Sequence, residues 1–148
     1  MESEHSAGAP DFGRARRWIT QSQHDLEDAE MAARAGRHAL ACFICHQSAH
    51  KAVTAYLYSR GAESIWGNSL ADLCQDAMVL DPSFDFIRSV AILLDKHYLG
   101  ARYPSAIPGG VPAESYEAID SERALEVAND VQAFVRERFA QLDPAKEG

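Results

Sequence analysis

The sequence predicts an all-α protein, an up-and-down antiparallel helical bundle of about five helices. Three observations predict it. Apolar residues recur at helical spacing along five successive segments. No segment alternates with period two over a useful length, which leaves strand content near zero. Gly, Pro and Ser/Asp signals fall between the segments and keep most connections short.

Residues 1–11 hold Gly8, Ala9 and Pro10 among polar side chains and read as a disordered leader. The bundle is expected over residues 12–142 as a single domain, followed by a loose tail, residues 143–148. A first helix runs from about Phe12 to Ala35, with Trp18, Ile19, Leu26, Ala29 and Ala33 as its apolar stripe and Gly36 as its stop. A second spans about Arg37 to Arg60 and closes at Gly61. Its set of Leu40, Phe43, Ile44, Val53, Tyr56 and Leu57 is dense enough to make it the central helix. Asn68 or Ser69 caps a third helix, Leu70 to Val79, with Leu70, Leu73 and Ala77 inward. Asp81-Pro82-Ser83 then signals a turn before a fourth helix, Ser83 to Arg102, with Phe86, Ile87, Val90, Leu93, Leu94 and Tyr98 in its stripe. The stretch from Pro104 to Pro112 reads as a flexible loop. A fifth helix covers Ser115 to Leu142, its apolar side including Ala124, Leu125, Ala128, Val131, Val135 and Phe139.

A chain of 148 residues with 47% hydrophobic and 24% charged residues has the bulk character of one soluble globular domain. Its net charge of −8 counts against broad, nonspecific nucleic-acid binding but leaves room for a local basic site. No apolar run approaches the roughly 18 residues of a membrane span. The start, Met1-Glu2-Ser3-Glu4-His5, is too polar for a secretory signal, and three cysteines without framework spacing fit reduced thiols in a cytoplasm.

Two stretches mix an apolar stripe with polar groups that a simple core helix does not need. They are Phe43 to Lys51 and Leu94 to Pro104. The second ends in Arg102-Tyr103-Pro104, where proline must stop or kink the helix. A guanidinium and a phenol at a helix end suit an anionic or planar ligand. Lys51 and Arg102 are the phosphate candidates, Tyr103 the stacking partner, and Gln47, His46 and His97 the hydrogen-bonding groups. Taken singly, Lys51 reads as a solvated lysine, Arg102 as a charge on the helix dipole and Tyr103 as a plug at the bundle's end.

His38, Cys42, His46 and His50 recur at four-residue steps and form a slanting band on the second helix. Cys42, His46 and His50 are weak metal candidates, because adjacent turns of one helix rarely supply four tetrahedral ligands and no second pair stands at finger spacing. The band is expected to be a partly polar flank facing a cavity or a partner. No nucleophilic triad and no phosphate-cradling glycine loop emerges, and no cofactor is called for.

The ordered set of these residues resembles the HEPN domain, a small five-helix bundle, from about Arg17 to Phe139. Trp18, Asp25-Leu26 and Ala29 fit its first helix. Phe43, Gln47, Ala49 and Lys51 fit its Phe-x-x-Gln-Gln-Ala-x-Glu-Lys pattern, and Ser69-Leu70 with Leu73 its third-helix segment. Leu94-Asp95, Tyr98 and Arg102-Tyr103-Pro104 match its Leu-Asp-x-x-Tyr-x-x-x-Arg-Tyr-Pro, and Tyr116 aligns with a tyrosine opening the last helix. His46, His50 and Asn68 stand where the family more often has Gln, Glu and His.

Ribonuclease members of the family carry Arg, four to six residues, then His. After Arg102 those positions are Ile107, Pro108 and Gly109, and no histidine follows His97. The resemblance therefore implies the non-nucleolytic branch, a nucleotide-binding or accessory module, often a homodimer and often beside a minimal nucleotidyltransferase partner. A nucleotide or RNA is the implied ligand. Two other classes stay open: a metal-independent ribonuclease toxin using His97 or His46 with Arg102, and a purely structural interaction bundle.

Overall fold

The computed structural model describes residues 8–143, so most of the expected leader and tail lies outside the described residues. Helix α1 spans Phe12–Arg34, α2 His38–Ser59, α3 Leu70–Leu80, α4 Phe84–Ala91, α5 His97–Gly100, α6 Pro112–Ser115 and α7 Ala118–Leu142. No strand occurs among the described residues, and the expected all-α bundle is what forms.

The helix ends follow from their caps. Asp11 accepts from the Arg14 amide at the start of α1 (2.9 Å). Ser69 accepts from the Asp72 amide at the start of α3 (3.1 Å), and Glu117 and Asp120 cap α7 reciprocally. Both long N-terminal helices end in the same way. Gly36 and Gly61 take φ of +79° and +102°, and the next amides, of Arg37 and Ala62, return to Ala32 and Leu57. The Gly61 carbonyl also accepts the Gly8 amide, and a Cβ at Gly61 would collide with the Gly8 oxygen. Residues 8–11 of the expected leader are held against the bundle at this point.

Helix α2 is buried around most of its circumference and is the bundle's axis. Small residues make this packing possible: Ala41, Ala49, Ala52 and Ala55 are fully or nearly fully buried. They let α1 approach closely enough for Ser22 and Ser48 to exchange bonds. Each hydroxyl donates to the other's carbonyl at 2.7 Å. Leu26, Val53, Tyr56, Leu57, Phe84, Leu94, Val131 and Val135 complete the core.

Two expectations about helix faces are corrected. The stripe of α4 is Phe84, Ile87, Ala91 and, beyond it, Leu94, whereas Phe86 and Leu93 point outward and are 69% and 57% exposed. On α2, Leu40 is exposed and Phe43 half-buried, while Cys42 and His46 of the supposedly polar flank are fully buried. The amphipathic template fails for α2 because a helix covered on all sides has no wet face to mark its register.

The fourth and fifth helices also depart from expectation. The run from Ser83 to Arg102 tightens after Ala91 into a 3₁₀ turn, Ile92–Leu94, and resumes as α5. Its amide bonds shorten to three-residue steps, Asp95 to Ile92 and Tyr98 to Asp95. The expected loop holds a 3₁₀ turn, Pro104–Ala106, α6 begins at the loop's last residue, and the last long helix, α7, starts at Ala118 and not at Ser115. Pro112 opens α6, where its missing N–H costs nothing.

The tightened turn presents Asp95 to the N-terminus of α3. Its carboxylate accepts from the Leu70 amide (2.7 Å) and the Ala71 amide (3.1 Å), and from His46 Nε2 of α2 (3.2 Å). The Gln47 amide group donates to His46 Nδ1 (3.1 Å), so the neutral imidazole carries its proton on Nε2 and donates it to Asp95. Replacing Asp95 by Ala strands two helix-end amides and a buried imidazole. We expect a loss on the order of 2–3 kcal/mol, a fall in Tm of about 5–10 °C. An unchanged thermal denaturation profile would refute the role assigned to Asp95.

His46, His50 and His97 all have pKa values depressed chiefly by burial, His50 and His97 to about 4. For His46, the Asp95 bond opposes that shift without reversing it. The folded state therefore binds fewer protons than the unfolded chain, whose imidazoles titrate near about 6.5. Stability is complete above that pH and is lost as pH falls from about 6.5 towards 4. Urea midpoints should drop clearly between neutral and mildly acidic buffer; equal midpoints would contradict the burial of these rings.

Candidate functional site

A cleft of about 490 Å³ opens where the N-terminus of α2 meets the chain around α6. Gly36, Arg37, His38, Ala39 and Leu40 form one wall; Ala101, Arg102, Pro104, Val111, Pro112 and Ala113 form the other. The turn at Gly36 places Arg37 there, and the end of α5 places Arg102. Pro104 keeps the chain from continuing as helix past it.

The two guanidiniums give the cleft its character. Both are exposed, and neither forms an ion pair among the described residues. Arg102 lies over the Phe43 ring, 5.6 Å from its centroid. No side chain caps α2, and no acidic residue occupies its first turn, so its positive end beside the cleft is not neutralised by its own side chains. His38 Nδ1 bonds Ser121 Oγ at 2.9 Å. That hydroxyl donates to the Ala118 carbonyl, so it accepts from His38, which is thereby held in place. Leu40, Val111 and Pro112 supply apolar surface beside the charges.

The candidate residues do not gather at one site. Arg102 lines the cleft, and Tyr103, 55% exposed, sits between two lining residues without lining it. His46 and Gln47 bond each other, and His46 bonds Asp95. A chain of rings connects them to the cleft: His46 and Tyr98 centroids are 5.4 Å apart, Tyr98 and Phe43 6.2 Å, and Arg102 lies over Phe43. His97 is buried, with Nδ1 2.9 Å from the Tyr116 hydroxyl, and borders a separate hollow with Lys96, Asp120 and Arg123. Lys51 Nζ donates to Asp25 of α1 at 2.7 Å. It stands 13 residues along α2 from His38, about 20 Å of helix rise.

The metal candidates are likewise dispersed. His50 Nε2 donates to the Gly67 carbonyl (3.0 Å), His46 to Asp95, and the Cys42 thiol is buried with its pKa pushed up to about 12. Among the described residues no group of three or more His, Cys, Asp or Glu side chains is arranged to hold a metal ion. No helix among them is long and apolar enough to cross a membrane.

Sequence reasoning missed Arg37, whose only signal is its place just after a helix-stopping glycine. It also missed the roles of Asp25 and Asp95, the acids that occupy Lys51 and His46. Their partners lie 26 and 49 positions away in the chain, beyond any local pattern.

Comparison with known proteins agrees with this architecture. The HEPN domain family model matches residues 15–138. The crystal structure of TT1696 from Thermus thermophilus is 37% identical, with a TM-score of 0.76 over 84% of this chain and 97% of that one. ST0689, described as an archaeal HEPN homologue, is 34% identical with a TM-score of 0.70 over 84% and 97%. A HEPN domain protein from Thermotoga maritima is 27% identical with a TM-score of 0.67 over 84% and 98%. No curated protein matches the chain. On a family match across most of its length, and on solved relatives sharing a third of its residues and its fold, this chain belongs to the HEPN domain family.

Proposed function

We propose that this HEPN domain is a non-catalytic nucleotide-binding module and that the ligand sits in the cleft between the N-terminus of α2 and α6. The observation that carries the reading is the pair of guanidiniums without an ion pair, Arg37 and Arg102, in the lining of one cleft. Guanidinium forks suit phosphate oxygens, and the uncapped amides of α2 add donors of the same sign. The apolar surface that Leu40, Val111 and Pro112 add to the lining suits a sugar or base, and the exposed ring of Tyr103 is free to stack on one.

The same geometry disfavours the ribonuclease alternative. That chemistry needs an imidazole near Arg102 that exchanges protons near neutral pH. His46 is fully buried and donates to Asp95; His97 bonds Tyr116 and faces a different hollow; both are held neutral. In this reading the module presents a nucleotide to a partner such as a nucleotidyltransferase.

Saturating ATP, at 100 times its Kd, should add about 2.7 kcal/mol of stability, a rise in Tm of roughly 5–10 °C. Arg102→Ala and Arg37→Ala should each weaken ATP binding by roughly tenfold or more by calorimetry, with helix content unchanged. Tyr103→Phe should keep the affinity that Tyr103→Ala loses. Wild-type protein that binds no nucleotide, or an Arg102→Ala variant of undiminished affinity, would overturn the assignment.

A further inference from the structure

A smaller hollow, of about 200 Å³, lies between the chain around α5 and the N-terminal turns of α7. Its polar lining is Lys96, His97, Asp120 and Arg123. The 3₁₀ turn before α5 supplies part of it. Leu94 of that turn is buried, Leu93 is left 57% exposed, and Lys96 and His97 follow where the helix resumes. Asp120 and Arg123 stand three residues apart on α7 and so share a face. Leu93, Leu94 and Val127 add hydrocarbon surface to these groups. None of these residues lines the nucleotide cleft.

Binding capacity in this hollow is left over by the fold. Lys96 and Arg123 are exposed and form no ion pair among the described residues. Asp120 is the one carboxylate in the lining, and its Oδ2 is engaged at the start of α7 by the Glu117 amide (2.8 Å). His97 is only 5% exposed, with Nδ1 2.9 Å from the Tyr116 hydroxyl. That hydroxyl forms no other bond among the described residues, so it donates to Nδ1, and the neutral ring carries its proton on Nε2. Nε2 forms no bond among the described residues and yet is not sealed from solvent. A buried ring that borders the hollow thus holds a donor without an acceptor.

These groups specify a ligand. Two cations against one carboxylate leave the lining a single positive charge, because burial keeps His97 neutral. That charge balances a monoanion, and Asp120 disfavours a second negative charge. A planar carboxylate matches the fork of a guanidinium. The aliphatic side chains in the lining suit a hydrocarbon body. At about 200 Å³ the hollow is below the roughly 300 Å³ at which sites for drug-sized molecules begin, too small to enclose a nucleotide.

We propose that this hollow binds a short aliphatic monocarboxylate. Its oxygens take Lys96, Arg123 and the Nε2 proton of His97, and its hydrocarbon body lies on Leu93, Leu94 and Val127. The exposed leucine of the tightened turn, which packing inside the bundle does not use, is then part of a binding surface.

Calorimetry and NMR of the His97 ring read the binding in the full chain. Butyrate should bind with a Kd on the order of 1 mM or tighter. Acetate, propionate and butyrate should bind in rising order, by roughly two- to fourfold per added methylene. The His97 Nε2 resonance should move with occupancy, while the ring signals of His24, exposed on α1, stay in place. Arg123→Gln and Lys96→Gln should each weaken butyrate binding by roughly fivefold or more, and Leu93→Ser should flatten the dependence on chain length. All three positions are exposed, so Tm should be unchanged. Arg123→Gln should leave ATP affinity unchanged, and Arg102→Ala should leave butyrate affinity unchanged, so this site and the nucleotide cleft fail separately. Absence of binding at about 10 mM butyrate would overturn the proposal, as would an Arg123→Gln variant of undiminished affinity. Equal or tighter binding of succinate, inorganic phosphate or AMP in the hollow would assign it to another class of anion and overturn it as well.

Discussion

One carboxylate ties together parts of the chain that the sequence keeps far apart. Asp95 accepts from the first two amides of α3 and from an imidazole on α2, and it stands itself in the tightened turn between α4 and α5. A partly buried carboxylate is tolerable only when donors surround it, and here four do, the Ser69 hydroxyl (3.4 Å) being the fourth. The turn that delivers Asp95 also directs the chain beyond it. Tyr98 comes to lie beside His46 and Phe43, and the next turn brings Arg102 over the Phe43 ring at the mouth of the cleft. The position of the exposed arginine thus follows from the satisfaction of a partly buried acid.

Helix α2 explains where binding chemistry is left over. Because it is packed on nearly every side, the polar side chains along its middle are drawn into bonds between helices. Ser48 bonds Ser22, His46 bonds Asp95 and Lys51 bonds Asp25. Each of these would be costly to bury alone, and each is instead a point where one helix is registered on another. Unengaged groups survive at its N-terminus, beside Arg37 and Arg102, and on the outer stripe of α1, beside Arg17 and Trp18. The two surfaces differ in kind. The first is a cleft with apolar surface in its lining, and the second is a shallow hollow lined by cations and the Trp18 indole.

The helical class, the order of the long helices and most of their ends were legible in the sequence, because caps and glycine stops are local chemistry. Gly36, Gly61 and Ser69 act where local rules place them. The inward faces of α1, α3 and α7 were largely legible too, since a helix with one wet side advertises it. On α2 that signal vanished, and on α4 the choice between Phe84 and Phe86 as the buried ring was decided by neighbours from α2 and α7. The break after Ala91 was equally silent, since Ile92-Leu93-Leu94 is as good a helix as any by propensity.

The candidate site divides along the same line. From sequence alone came the family pattern, the Arg102-Tyr103-Pro104 stop and the absence of a histidine after it. Each is a matter of residue type and spacing along one stretch of chain. Only the tertiary structure decided that Lys51 and His46 spend their polar groups on Asp25 and Asp95, and that Arg37 and Arg102 line the same cleft. The reason is physical. Whether a charged group is free to bind depends on which opposite group the fold brings within about 3 Å of it, and partners dozens of residues apart leave no trace in local spacing.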